Sequence, residues 1–219
     1  MSAAAEAPPA LSARGVSRRY GPRVALEPTD LDVRTGEVVV LLGPNGAGKS
    51  TLLALLARAL PPSSGSVEGL PPGAVGWAPQ RQAQYGRLSA AENLALFARL
   101  ARLGDPDAVV EAALAEFALP RDDRPSAHLS VGNQQRLNLA IAFLGQPRLL
   151  LLDEPTASLD PPQARALWER VRCARDAGAG AVVATHVLDE ALAADRVLVL
   201  RDGRVVFAGT PAEHAAGVA

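Results

Sequence analysis

The segment G-P-N-G-A-G-K-S, Gly43 to Ser50, concentrates chemistry in a 219-residue chain. It fulfils the pattern G-x-x-x-x-G-K-[ST] at every fixed position. Glycines let a backbone fold tightly around phosphates and turn its N–H groups inward. A helix opening at the end of such a loop adds the positive end of its dipole. Lys49 offers an ammonium to β- and γ-phosphates, and Ser50 a hydroxyl to Mg²⁺. Gly43, Pro44, Asn45, Gly46, Ala47, Gly48, Lys49, Ser50 and Thr51 are the expected phosphate cradle. Of 22 basic residues only Lys49 is lysine. A genome rich in arginine codons accounts for most of that bias, and the exception falls where a compact ammonium suits better than a planar guanidinium.

A second chemical element is L-L-L-L-D-E-P, Leu149 to Pro155. Four leucines suit a buried strand. Asp153 at its end can reach a Mg²⁺ shell, and Glu154 can polarise an attacking water. An Asp-Glu pair alone is usually a solvated loop. Here the pair ends an apolar strand in a chain that already holds a phosphate loop.

Regular elements must bring these pieces together. Val38–Leu42, Ala74–Trp77, Leu149–Asp153, Ala181–Thr185 and Arg196–Leu200 read as strands, and Lys49–Ala59, Pro162–Ala177 and Val187–Ala193 as helices. The alternation predicts an α/β domain with a mainly parallel sheet. R-D-G-R, Arg201–Arg204, reads as a hairpin turn. From about Ser89 to Gly145 the strand signal disappears. Ala90–Leu103, Asp107–Phe117 and Ser130–Leu144 have helical spacing, which predicts a helical subdomain over about 89–145. Residues 1–10 are expected to be a disordered tail, and 11–219 a single domain.

Composition removes several classes. A net charge of -1 and 4% aromatic residues leave neither a basic field nor a base-stacking surface, so no nucleic-acid partner is expected. The single cysteine, Cys173, excludes an internal disulfide and fits a reducing compartment. It is expected on the surface or half-buried in a helix. No apolar run approaches the roughly 18 residues of a spanning helix, and the opening residues lack the pattern of a signal peptide. Work at a membrane would require docking onto another chain.

From about Leu11 to Pro211 the motifs and their order resemble the ATP-binding cassette (ABC) ATPases. The resemblance implies a phosphate-loop NTPase core with an antiparallel β part and an inserted helical subdomain. It implies that Tyr20 in R-R-Y-G stacks on adenine, and that Gln80 in W-A-P-Q approaches Mg²⁺ and the attacking water. By the same resemblance Glu154 is the catalytic base, and His186 in A-T-H contacts the γ-phosphate. Ser158-Leu159-Asp160 faces a second subunit. The family signature L-S-G-G-Q reads here Leu129-Ser130-Val131-Gly132-Asn133. Ser130 keeps a hydroxyl and suits a helix N-cap. Gly132 keeps an open backbone, and Val131 can present its N–H provided its φ is negative.

Such proteins work as head-to-tail dimers, so a second copy and a membrane permease are the implied partners, with ATP and Mg²⁺ as ligands. The implied place is cytoplasmic, peripheral on the inner face of the cell membrane, and the chain looks most like an exporter subunit. A non-transport ABC ATPase acting on a soluble macromolecule is the rival, against which stand a single phosphate loop and no heptad arm. A small-molecule kinase would explain neither the signature nor His186.

Overall fold

The computed structural model describes residues 9–218. Residues 1–8 of the expected tail lie outside the described residues. Pro9 and Ala10 do not belong to a tail, because they open the first strand.

Two sheets carry the fold. The smaller is antiparallel, in the order β2-β1-β4, from β1 (Pro9–Tyr20), β2 (Arg23–Arg34) and β4 (Ser64–Gly69). The larger has the order β5-β6-β7-β3-β8-β9, from β3 (Val38–Leu42), β5 (Val75–Ala78), β6 (Leu149–Asp153), β7 (Gly180–Thr185), β8 (Arg196–Arg201) and β9 (Arg204–Gly209). All its pairings are parallel except β8 with β9. The expected hairpin is that last pair, with Asp202 and Gly203 both at positive φ, as a tight primed turn requires.

The central strands are buried on both faces, which explains their unbroken apolar runs. In β3, Val38, Val40 and Leu42 join one core, and Val39 and Leu41 join another. The second core lies between the two sheets and encloses α1 (Lys49–Leu56), whose Leu52, Leu53, Leu55 and Leu56 are all buried there. Each such leucine contributes roughly 1.5–3 kcal/mol by leaving water. Ala57 caps α1, earlier than the Ala59 end expected from composition.

Between the adjacent strands β5 and β6 the chain makes its helical excursion, with α2 (Ala90–Leu100), α3 (Pro106–Glu116) and α4 (Val131–Phe143). Ser89 starts α2 with a reciprocal capping box to Glu92. Helix α4 presses on β5: a Cβ at Gly76 would lie 1.9 Å from the Ala142 carbonyl oxygen, so only glycine fits that crossing.

After β6, α5 (Pro161–Asp176) begins with prolines in its first turn. It carries Cys173, which is exposed. The helix expected over Val187–Ala193 is a single turn, α6 (Leu188–Ala191). Helix α7 (Pro211–Val218) closes the described chain. No helix among the described residues is long and apolar enough to cross a membrane.

Candidate functional site

The carboxyl ends of β3, β6 and β7 lie side by side, because these strands are parallel neighbours. A ligand at an open parallel sheet belongs at that edge. The loop after β3 runs into α1, whose N-cap is Gly48, and no side chain caps this helix. Its first-turn N–H groups therefore face outward as donors for an anion. Gly48 has φ 105°, and a Cβ there would lie 2.8 Å from the Ala25 carbonyl oxygen of β2. The small sheet thus presses directly on the loop.

Lys49 is only 5% exposed. Its Nζ donates to the carbonyls of Gly43 (2.7 Å) and Pro44 (3.2 Å) and lies 3.3 Å from Oε1 of Glu154. The other carboxylate oxygen, Oε2, accepts from Nδ1 of His186 at 2.7 Å. That bond leaves Nε2 of His186 free to meet a ligand. Glu154 itself sits at φ 48°, a strained setting for a residue with a Cβ. Its backbone N–H donates to Ala184 O at 2.9 Å, which holds the turn after β6 against β7.

Next to it, Asp153 is buried, and its Oδ1 has no hydrogen-bond partner. Burial pushes its pKa above the ordinary carboxylate range. The Ser50 hydroxyl opposes that shift, Glu154 adds to it, and Lys49 opposes it. A desolvated carboxylate oxygen beside a serine hydroxyl fits a hard cation, since oxygen donors of this kind bind Mg²⁺. Among the described residues no cluster of three or more His, Cys, Asp or Glu could hold an ion alone.

The cleft above these groups has a volume of about 520 Å³. Asn45–Thr51, Gln80 and Glu154 all line it. So do Arg23–Ala25 of β2 and Asp202 and Gly203 of the β8–β9 turn, none of which the sequence reading placed at the site. Tyr20 ends β1 opposite Arg23 and is 49% exposed, but it does not itself line the cleft. Gln80 is held by a residue that sequence reasoning missed. Asn138 of α4 donates to Pro79 O (3.0 Å) and accepts from Ala83 N (3.3 Å), bracketing Gln80 on both sides.

Ser130, Gly132 and Asp160 do not line this cleft. Ser130 caps α4, its Oγ accepting from Asn133 N at 3.3 Å. Val131 is absent from the positive-φ residues and is 62% exposed at the first position of the helix. Its backbone is therefore unstrained, which meets the condition set by the sequence. Asn133 accepts from Arg136, closing its amide onto its own helix. Gly132 abuts the Ser158 carbonyl, and Gln135 donates to Pro155 O at 2.9 Å. The start of α4 is thus tied to the segment that follows Glu154. Asp160 caps α5 through Gln163 N at 2.8 Å.

An uncapped helix behind a glycine loop, and an acid ending the next strand but one, define a phosphate-loop nucleotide-binding α/β protein. The ABC transporter family profile matches residues 26–157, more than half of the chain, and the chain belongs to that family. It is 37% identical over 217 residues to the Nod factor export ATP-binding protein I of Sinorhizobium fredii, covering 92% of this chain and 63% of that one. It is 39% identical over 216 residues to the spermidine/putrescine import ATP-binding protein PotA of Methylococcus capsulatus, covering 91% and 56%. The chain thus spans less than two thirds of these relatives. A solved structure of an ATP binding subunit of an ABC transporter superposes with a TM-score of 0.86 at 31% identity, covering 95% of this chain and 92% of that one.

Proposed function

We propose that this chain is the ATP-hydrolysing subunit of an ABC transporter. It converts ATP and water to ADP and phosphate and couples that reaction to a separate membrane permease. The observation that carries the reading is the carboxylate of Glu154, set between Lys49 and His186 at the mouth of the phosphate loop.

On this reading Gly43–Thr51 cradle the triphosphate and Tyr20 stacks on adenine. Phosphates entering the loop supply a better partner for Lys49 than the Glu154 carboxylate, and draw the ammonium away. The freed carboxylate accepts a proton from the attacking water. His186, oriented through Nδ1, presents Nε2 to the γ-phosphate. Ser50, Asp153 and Gln80 hold Mg²⁺, which supplies charge neutralisation on the phosphate oxygens. Ser130, Gly132 and Asp160 serve a second copy of the chain, across a head-to-tail interface that closes on ATP. From Pro9 onward the chain acts as one ATPase domain, and the helical segment of about 89–145 is its subdomain. The complex sits on the inner face of the cell membrane.

We assign export as the direction, which the Nod factor relative supports and the spermidine/putrescine relative opposes. Purification of the chain with its membrane partner, followed by reconstitution in vesicles, tests both parts. ATP-dependent movement of substrate away from the ATPase face is expected. Movement toward that face would overturn the direction, and hydrolysis stimulated by a soluble macromolecule without any permease would overturn the transport role.

A further inference from the structure

Arg18 stands two residues before Tyr20 on β1. Its guanidinium carbon lies 4.7 Å from the centroid of the Tyr20 ring, over the ring face. The same guanidinium donates through Nη1 to the Pro61 carbonyl at 2.8 Å, in the segment that leaves α1. Its Nε is buried and has no hydrogen-bond partner, and among the described residues no acid forms an ion pair with it. Around it the strand is fastened to that segment again. Ser63 N donates to Ser17 O at 2.9 Å, Arg19 N donates to Ser63 Oγ at 3.1 Å, and the hydroxyls of Ser17 and Ser64 meet at 2.7 Å.

We propose that Arg18 is a positioning residue for nucleobase recognition. Its guanidinium covers one face of Tyr20 and anchors it to the segment leaving the phosphate-loop helix, so that only the opposite face of the ring receives a base. Tyr20 is otherwise a half-exposed ring at a strand end, free to change rotamer. Stacking a base on a mobile ring loses affinity to the ordering of that ring. Arginine suits the task because a planar cation can lie on the ring and still reach a carbonyl with an in-plane N–H, whereas an ammonium is a point donor. The inference rests on the reading of Tyr20 as the adenine platform.

The test compares ATP with inorganic tripolyphosphate, which has the charge but no base, by calorimetric titration of the full chain. Arg18→Ala should weaken ATP about threefold, the range expected for an exposed cation–π contact, and leave tripolyphosphate unchanged. Unchanged tripolyphosphate binding also shows that the variant is folded. Arg18→Lys should fail to restore ATP affinity. Tyr20→Ala should lower the ATP to tripolyphosphate ratio further, and adding Arg18→Ala to it should have no further effect. If Tyr20→Ala lowers the ratio and Arg18→Ala does not, the role of Arg18 is overturned while the platform stands. If Tyr20→Ala leaves the ratio unchanged, the platform reading itself fails and takes the proposal with it. Equal weakening of both ligands by Arg18→Ala would reduce Arg18 to a structural residue.

Discussion

His186 Nδ1 and Glu154 Oε2 are 2.7 Å apart, while the other oxygen of the same carboxylate faces Lys49 at 3.3 Å. One carboxylate thus answers to a cation on the phosphate loop and to an imidazole just past the end of the neighbouring strand β7. Replacing Glu154 by Gln keeps its shape and removes its basicity. Turnover in the assembled complex should fall by about 10²–10⁴-fold, while ATP affinity is retained and an ATP-bound dimer accumulates in size-exclusion chromatography. Normal hydrolysis would remove Glu154 as the base.

Ser130→Arg places a long cation at the start of α4, where the Ser130 side chain is exposed. ATP binding to the isolated chain should stay within about twofold, because Ser130 does not line its own cleft, while cooperative ATPase activity in the complex is lost. Undiminished turnover would show that the α4 start does not close a partner's nucleotide.

Asp153→Asn removes a charge that burial disfavours. In nucleotide-free protein the variant should melt a few degrees higher than the parent at neutral pH. Burial holds the folded-state pKa of Asp153 above its unfolded value, so the folded chain binds this proton more tightly. The group therefore favours folding at low pH, and that contribution fades as pH rises through the folded-state pKa. The melting advantage of the variant should accordingly widen as pH rises out of the ordinary carboxylate range, and then level off. The same variant should bind ATP with little response to Mg²⁺. A lower melting temperature at neutral pH would contradict the desolvation argument.

Gly76→Ala tests the crossing of α4 over β5. The added methyl meets the Ala142 carbonyl, which backbone movement alone can relieve. Destabilisation of at least about 2 kcal/mol is expected, read as a shifted urea midpoint. A neutral result would mean that the helical excursion can shift on the sheet without resistance.

The central strands of the larger sheet are legible because they are apolar on both faces. Val38–Leu42 and Leu149–Asp153 have the same bounds in the sequence reading and in the structure. The smaller sheet is not legible strand by strand. In β1 the alternation breaks where register shifts fall between Ala13 and Val16 and again around Arg18, so buried Val16 and Ser17 are neighbours instead of alternating with exposed residues. β4, S-G-S-V-E-G, buries almost nothing and carries no apolar signal.

The site divides in the same way. Lys49, Asp153, Glu154 and His186 stand at loop and strand ends where a motif can be read. Asn138 and Gln135 are amides within a helix, a pattern that reads as solvent-facing, and only the fold reveals that Asn138 is 1% exposed and brackets Gln80. The hairpin that carries Asp202 is legible in R-D-G-R, but that it lines the cleft, as Arg23 does, follows from how the strands pair and pack, which no local pattern encodes.

The chain has a single lysine, and that lysine is buried beneath its own loop. Apart from three histidines, every other basic side chain is a guanidinium, so amine-directed reagents and crosslinkers find no lysine side chain on the outer surface. Covalent modification of lysine therefore becomes a local probe. Its rate reports how often the loop opens, and protection by a bound nucleotide would be read at one lysine atom, Nζ of Lys49, with the α-amino group as the other amine to be told apart.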